Sequence, residues 1–325
     1  MSLDPIRLAQ EAAHSLRYRL QHIHALALAR CRYEAHARGL SLRITQGGSV
    51  AVITDGTRQV WANARQSGAI WESICWFDGI FTSVRPRIVD GFAVVDISKP
   101  GEHALARSGK LYRFTCEPEA EQQTELYLDV ARLSPGDVAI DGGAYCGGST
   151  VAMSQAVGTK GRVLAFEPDP ANFQAAQENL GRHGLSNTTL FQEGLWSSST
   201  ELEFTAGAGM LSSILQPGGR KDSRIPTTRI RVRSLEQIVH DERLERLDFV
   251  KLDIEGAEPD VLASSRAVLR AFRPRLVVEA ETKNGRLVTP LLLKILSEEG
   301  YSCRVVMEAW DATWQVVCAT PQPPS

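Results

Sequence analysis

The chain has 325 residues, of which 43% are hydrophobic, 23% charged and 7% aromatic, the proportions of a globular protein long enough for about two domains. Thirty-six Lys and Arg against thirty-eight Asp and Glu leave a net charge of −2, so no global positive field is available to hold nucleic acid or an anionic membrane. The six cysteines form no C-x-x-C pair, the apolar runs are strand-length, and no apolar segment follows a basic start; a disulfide framework, a structural zinc site, a membrane span and a signal peptide are not expected, which leaves a soluble, cytoplasmic protein.

Residues 1–40 read as one helix, with Asp4 as cap, Pro5 at the first helical position and Gly39 at the exit. Ile6, Ala9, Ala13, Leu16, Leu20, Ile23 and Ala27 alternate spacings of three and four. That seam either packs on its own protein or makes a homo-oligomer through this helix. Residues 41–132 read as an α+β accessory region. Leu42 to Ile44 and Val50 to Ile53 look like strands joined by Gly47-Gly48, and Asp55-Gly56 signals a hairpin turn before Val60-Trp61. Gly68 to Phe81 is helix-like, with Ile70, Ile74, Phe77 and Phe81 on one stripe. Strands are expected at Phe92 to Ile97 and Leu111 to Cys116, then a charged helix from Glu117 to Leu133 that ends at Ser134-Pro135-Gly136.

Residues 133–325 change to regular alternation. Strands are expected at Val138 to Ile140, Val163 to Phe166, Thr188 to Phe191, Phe249 to Leu252, Leu276 to Val278, Ser302 to Met307 and Gln315 to Cys318. Helices are expected at Ser149 to Val157, Ala171 to Arg182, Leu235 to His240, Pro259 to Phe272 and Leu291 to Glu299, with an irregular stretch of short β-like pieces before Ser234. Several strands are apolar throughout, as where helices cover both faces of a parallel sheet, so this part is a doubly wound α/β domain.

Its most informative stretch is "AIDGGAYCGGST", Ala139 to Thr150. A strand ends in Asp141, and Gly143 and Gly147 carry the backbone through a tight turn into a helix start, where a ligand can approach the main chain and meet unpaired N–H groups. Twenty residues after Gly147, the next strand ends in Glu167, in "VLAFEPDP". An acid there accepts hydrogen bonds from the hydroxyls of an adenosine ribose. The dinucleotide fingerprint G-x-G-x-x-G is broken to G-x-A-x-x-G from Gly142, and Asp141 before the glycines would repel a pyrophosphate. The charge pattern suits S-adenosylmethionine, which carries an ammonium, a sulfonium and a ribose but no phosphate. A third stretch, "FVKLDIEGAE", sets Asp253, Glu255 and Glu258 at a strand end and the next helix start, and "LVVEAE" ends a fifth strand in Glu279.

The set "DGGAYCGGST", "AFEPDPANF", "KLDIEGAE" and "LVVEAE" resembles the FkbM-type methyltransferases, over roughly Leu133 to the C-terminus. The resemblance implies a class I methyltransferase (Rossmann-like) fold, S-adenosylmethionine as cofactor, and a sugar, glycan or secondary-metabolite hydroxyl as methyl acceptor. It implies that Asp141, Gly143, Ala144 and Gly147 line the methionine end, that Glu167 holds the ribose, and that Pro168, with Glu193 and Gly194, flanks the adenine. Tyr145 stands where the family often has Asn, and Ser234-Leu235-Glu236 where Leu-Asp is usual.

The expected function is therefore an S-adenosylmethionine-dependent O-methyltransferase. The alternatives are an NAD-dependent oxidoreductase and a non-catalytic binding module with the same fold. His183 and His240 lie away from the strand ends, so a carboxylate is expected as general base: Asp253 first, then Glu255 and Glu258, with no metal. Metal-using sugar methyltransferases resemble the chain less, because they carry paired aspartates where it has Glu279-Ala280-Glu281.

Overall fold

A computed structural model describes residues 26–45, 47–119, 121–205, 213–214, 227–280, 282–283, 286–308 and 311–322. The chain divides into two compact units, Met1–Gly101 and Glu102–Ser325.

In the first unit residues 26–37 are helical, and Gly39 leaves the helix at φ +72°. The rest of the expected seam, from Ile6 to Ile23, lies outside the described residues. A five-stranded sheet runs in the order Ser41–Ile44, Val50–Thr54, Arg58–Asn63, Phe92–Asp96, Arg87–Val89. The stretch expected as one helix is two, Ser67–Cys75 and Phe77–Ser83, broken at Trp76. The apolar stripe continues through the break, so periodicity alone does not reveal it. What does is Gly79, where a Cβ would stand 2.0 Å from the Trp76 indole nitrogen.

The second unit is built on a seven-stranded sheet. Its strands, numbered along the chain, are β1 (Val138–Gly142), β2 (Arg162–Phe166), β3 (Thr188–Phe191), β4 (Phe249–Leu252), β5 (Arg275–Glu279), β6 (Tyr301–Glu308) and β7 (Asp311–Pro321). They lie in the order β3-β2-β1-β4-β5-β7-β6, parallel except for β7. The helices of this unit are α1 (Glu121–Ala131), α2 (Gly148–Val157), α3 (Pro170–Arg182), α4 (Leu235–Asp241), α5 (Glu258–Ser264), α6 (Arg266–Phe272) and α7 (Thr289–Glu298). This is the Rossmann-like class I methyltransferase arrangement. The strand order reverses between β1 and β4, and ligands of such sheets bind at the carboxyl ends there.

Apolar runs follow from burial on both faces. Ala139, Val163, Phe249 and Val277 pack against Tyr127, Val130, Met153 and Val157 on one side, while their neighbours Ile140, Leu164, Val250 and Leu276 pack against Leu235, Ile238, Leu262 and Leu292 on the other. Successive strand residues point to opposite faces, so Asp141, Lys251 and Glu279 belong to the face that α1 covers.

Two sequence expectations of this unit are corrected. Helix α1 starts at Glu121 rather than Glu117, because Pro118 biases Glu117 to extended backbone. The helix expected from Pro259 to Phe272 is broken at Ser265, with φ −96° and ψ 20°. Part of the irregular stretch after β3 forms a second sheet, with strands in the order Gly194–Leu195, Thr227–Arg233, Thr200–Thr205, Ser213–Ile214.

Candidate functional site

The turn after β1 is shaped by close backbone approach. Gly143 has φ +77°, and a Cβ there would stand 1.7 Å from the Asp253 carbonyl oxygen, so a side chain would push the turn off the loop that follows β4. The amides of Gly143 and Ala144 both donate to the Phe166 carbonyl, at 3.0 and 2.9 Å, which fixes the turn to the end of β2. Gly147 starts α2 at φ +86°. The first-turn amide of Gly148 donates at 2.9 Å to Glu119 Oε2, so an anion from the chain itself occupies this helix start.

Below the turn lies an ion cluster. Lys251 is buried within the apolar run of β4, in register with Asp141 on β1. Its Nζ donates to the Gly143 carbonyl at 2.8 Å and stands 3.3 Å from Asp141 Oδ1 and 3.4 Å from Asp253 Oδ2. The Tyr127 ring lies beside it, 5.6 Å away at its centroid. Asp141 Oδ2 accepts the Ser149 and Thr150 hydroxyls at 2.7 and 2.6 Å. Glu279 Oε1 accepts the Tyr127 hydroxyl, and the Gln123 amide at 2.5 Å. Burial alone would lower the lysine pKa, but Asp141, Asp253, Glu279 and Glu119 outweigh it and hold the ammonium well above the ordinary lysine range. Four carboxylates thus share one cation.

On the β2 side, Glu167 is buried at the strand end. Its Oε1 accepts the Asp169 amide at 2.9 Å and its Oε2 the Tyr145 amide at 2.8 Å. Burial pushes its pKa up to about 8 even though these N–H bonds favour the carboxylate. Asp169 then caps α3, its Oδ1 accepting from Ala171 and Asn172 ahead of Pro170 in the first turn. Pro168 and Gly194 are brought together: a Cβ on Gly194 would lie 3.8 Å from that of Pro168. Glu193 pairs with Arg233 at 2.8 Å, and the guanidinium lies 4.6 Å from the Phe191 ring centroid.

The three carboxylates of the third motif separate. Asp253 reaches the cluster with its side chain 24% exposed. Glu255 sits in the left-handed region at φ +56°. Glu258 is fully buried and turns back on its own loop, with Oε1 accepting the amides of Ile254 and Gly256 at 2.9 and 3.3 Å.

Sequence reasoning missed Lys251, Glu119, Tyr127 and Gln123. For Lys251 a signal existed: a lysine inside an apolar strand run, two residues before Asp253 and so on its face. Glu119 was hidden by the helix expected to begin before it.

"Methyltransferase 1" of Beauveria bassiana is 27% identical over 199 residues, 56% of this chain and 79% of that protein. The hexuronic acid methyltransferase AglP of Haloferax volcanii is 29% identical over 194 residues, 57% of this chain and 77% of that one. Among solved structures, methyltransferase FkbM from Methylobacillus flagellatus KT aligns at a TM-score of 0.43 and 22% identity, over 60% of this chain and 50% of that one. Residues 141–303, half of the chain and most of the sheet described above, match the methyltransferase FkbM domain, and the chain belongs to that family of methyltransferases.

Proposed function

We propose that the chain transfers a methyl group from S-adenosylmethionine to a hydroxyl of a sugar, glycan or secondary-metabolite acceptor. The observation that carries the cofactor assignment is the charge of the site. Asp141, Asp253, Glu279 and Glu119 surround the cation Lys251, and Glu119 fills the helix start where a dinucleotide would put its pyrophosphate. Such a site repels a phosphate and suits a ligand with cationic groups. The NAD-dependent alternative is thereby disfavoured, and family membership points away from it as well.

The residues fit the cofactor part by part. Glu167 accepts hydroxyl hydrogens of the ribose, Pro168, Glu193 and Gly194 flank the adenine, and Asp141, Gly143, Ala144 and Gly147 line the amino-acid end. When bound, S-adenosylmethionine supplies a methyl group on a sulfonium. The chain's own part is to orient the acceptor and remove its hydroxyl proton, for which Asp253 is placed best: it is the one carboxylate of its motif that both reaches the ion cluster and keeps solvent contact. Glu258, turned onto loop amides, holds that loop in shape. The sugar class of acceptor is supported by the name of the Haloferax relative.

The test is calorimetric titration with S-adenosylhomocysteine and with NADH, followed by mass spectrometry of extract supplied with isotope-labelled S-adenosylmethionine. Binding of the homocysteine nucleoside and a labelled O-methyl product are expected. Binding of NADH alone would overturn the proposal.

A further inference from the structure

We propose that Glu119 binds the ammonium group at the amino-acid end of the cofactor, an inference that rests on the S-adenosylmethionine reading. The segment that carries Glu119 is fastened to the glycine turn at two places. The Tyr145 hydroxyl accepts from Thr115 Oγ1 at 3.3 Å and from the Cys116 amide at 3.2 Å, and donates to the Glu117 carbonyl at 3.0 Å. Two residues further on, Glu119 Oε2 accepts the Gly148 amide at 2.9 Å. The carboxylate is therefore fixed beside the turn and not carried on a loose strap.

Its remaining oxygen, Oε1, receives no hydrogen bond among the described residues. Two other acids of the cluster are committed: Glu279 to Tyr127 and Gln123, and Asp141 Oδ2 to two hydroxyls. Asp141 Oδ1, fully buried, also accepts no hydrogen bond, and Lys251 approaches it only to 3.3 Å. One ammonium does not satisfy these oxygens, so the site calls for a second cation that can donate. Of the cofactor's two positive groups, only the ammonium carries N–H donors. Burial, opposed by Lys251 and reinforced by Asp141, pushes the Glu119 carboxyl up to about 7, and an arriving cation would draw it fully to the carboxylate.

The experiment compares two nucleosides by calorimetry. S-adenosylhomocysteine carries the ammonium; 5′-methylthioadenosine keeps adenine and ribose but lacks the amino-acid end. In Glu119→Gln the amide oxygen still accepts from Gly148, so the turn keeps its brace. S-adenosylhomocysteine should weaken at least ~10-fold in the variant, and 5′-methylthioadenosine should stay within about twofold. No loss for S-adenosylhomocysteine, or an equal loss for both, would overturn the inference and leave Glu119 as a brace of the turn. A wild-type protein that binds neither nucleoside would overturn the cofactor reading itself, and the inference with it.

Discussion

Lys251 Nζ stands 3.3 Å from Asp141 Oδ1, both residues buried and paired in register on neighbouring strands β4 and β1. This ion pair alters the electrostatic meaning of Asp141. A carboxylate before a glycine turn reads from sequence as the group that repels a pyrophosphate, yet its charge is met by an ammonium inside the fold. On the proposed reading, exclusion of phosphate falls instead to Glu119, which already holds the first-turn amide of Gly148.

The pair predicts a non-additive stability. Lys251→Met strands a buried aspartate without its cation, and breaking a buried pair in this way costs ~3–5 kcal/mol. Adding Asp141→Asn removes the orphaned charge, so the double variant should regain much of the loss. Urea unfolding midpoints of the two single variants and the double variant measure this coupling. Additive losses would show that the two groups do not interact.

Above about pH 8, where Glu167 is ionised, Glu167→Ala should weaken S-adenosylhomocysteine at least ~100-fold, since two hydrogen bonds to a charged acceptor are each worth ~1.5–3 kcal/mol. Titration of the variant tests this directly, and unchanged affinity would remove Glu167 from the ribose site.

The same residue gives a pH signature in the free protein. Burial raises its pKa from 4.5 to about 8, so the folded chain holds a proton that the unfolded chain releases. Below the unfolded value both states are protonated and Glu167 adds no pH dependence. As pH rises toward about 8, its contribution to stability falls by up to ~1.4 kcal/mol per unit, and it levels off above that. In Glu167→Gln this fall should be missing, so wild-type and variant melting curves compared from pH 5 to 9 should differ in slope. Identical slopes would mean that Glu167 is ionised in the folded protein.

Much of this was legible in the sequence, for a local reason. The glycine turn, the acid at the end of β2 and the Asp253 motif are each contiguous, and their spacing follows from alternating strands and helices. Lys251 was obscured because a lone lysine in a short strand ordinarily reads as solvent-facing, whereas every residue of β4 is buried. The hydrogen bonds from Tyr127 and Gln123 to Glu279 join positions more than 150 residues apart, and no local pattern encodes them. The helix break at Trp76 escaped because the apolar stripe runs across it.

The three carboxylates after β4 should respond differently to substitution. Asp253, proposed to take the hydroxyl proton, keeps its shape and its approach to Lys251 in Asp253→Asn but loses basicity. S-adenosylhomocysteine affinity should be retained while labelled methyl transfer in extract falls at least ~100-fold, the usual contribution of a general base being ~10²–10⁴. Glu258→Ala should act through stability: it strips the acceptor from the Ile254 and Gly256 amides, and unsatisfied groups of this kind cost ~1–3 kcal/mol each where they stay buried. With Asp253 as the base, Glu255→Gln should leave methyl transfer close to wild type. Transfer should persist in EDTA, because a carboxylate base needs no Lewis acid to lower the hydroxyl pKa. Near-normal transfer in Asp253→Asn would move the base elsewhere, and activity abolished by EDTA and restored by Mg²⁺ would replace the carboxylate mechanism with a metal-assisted one.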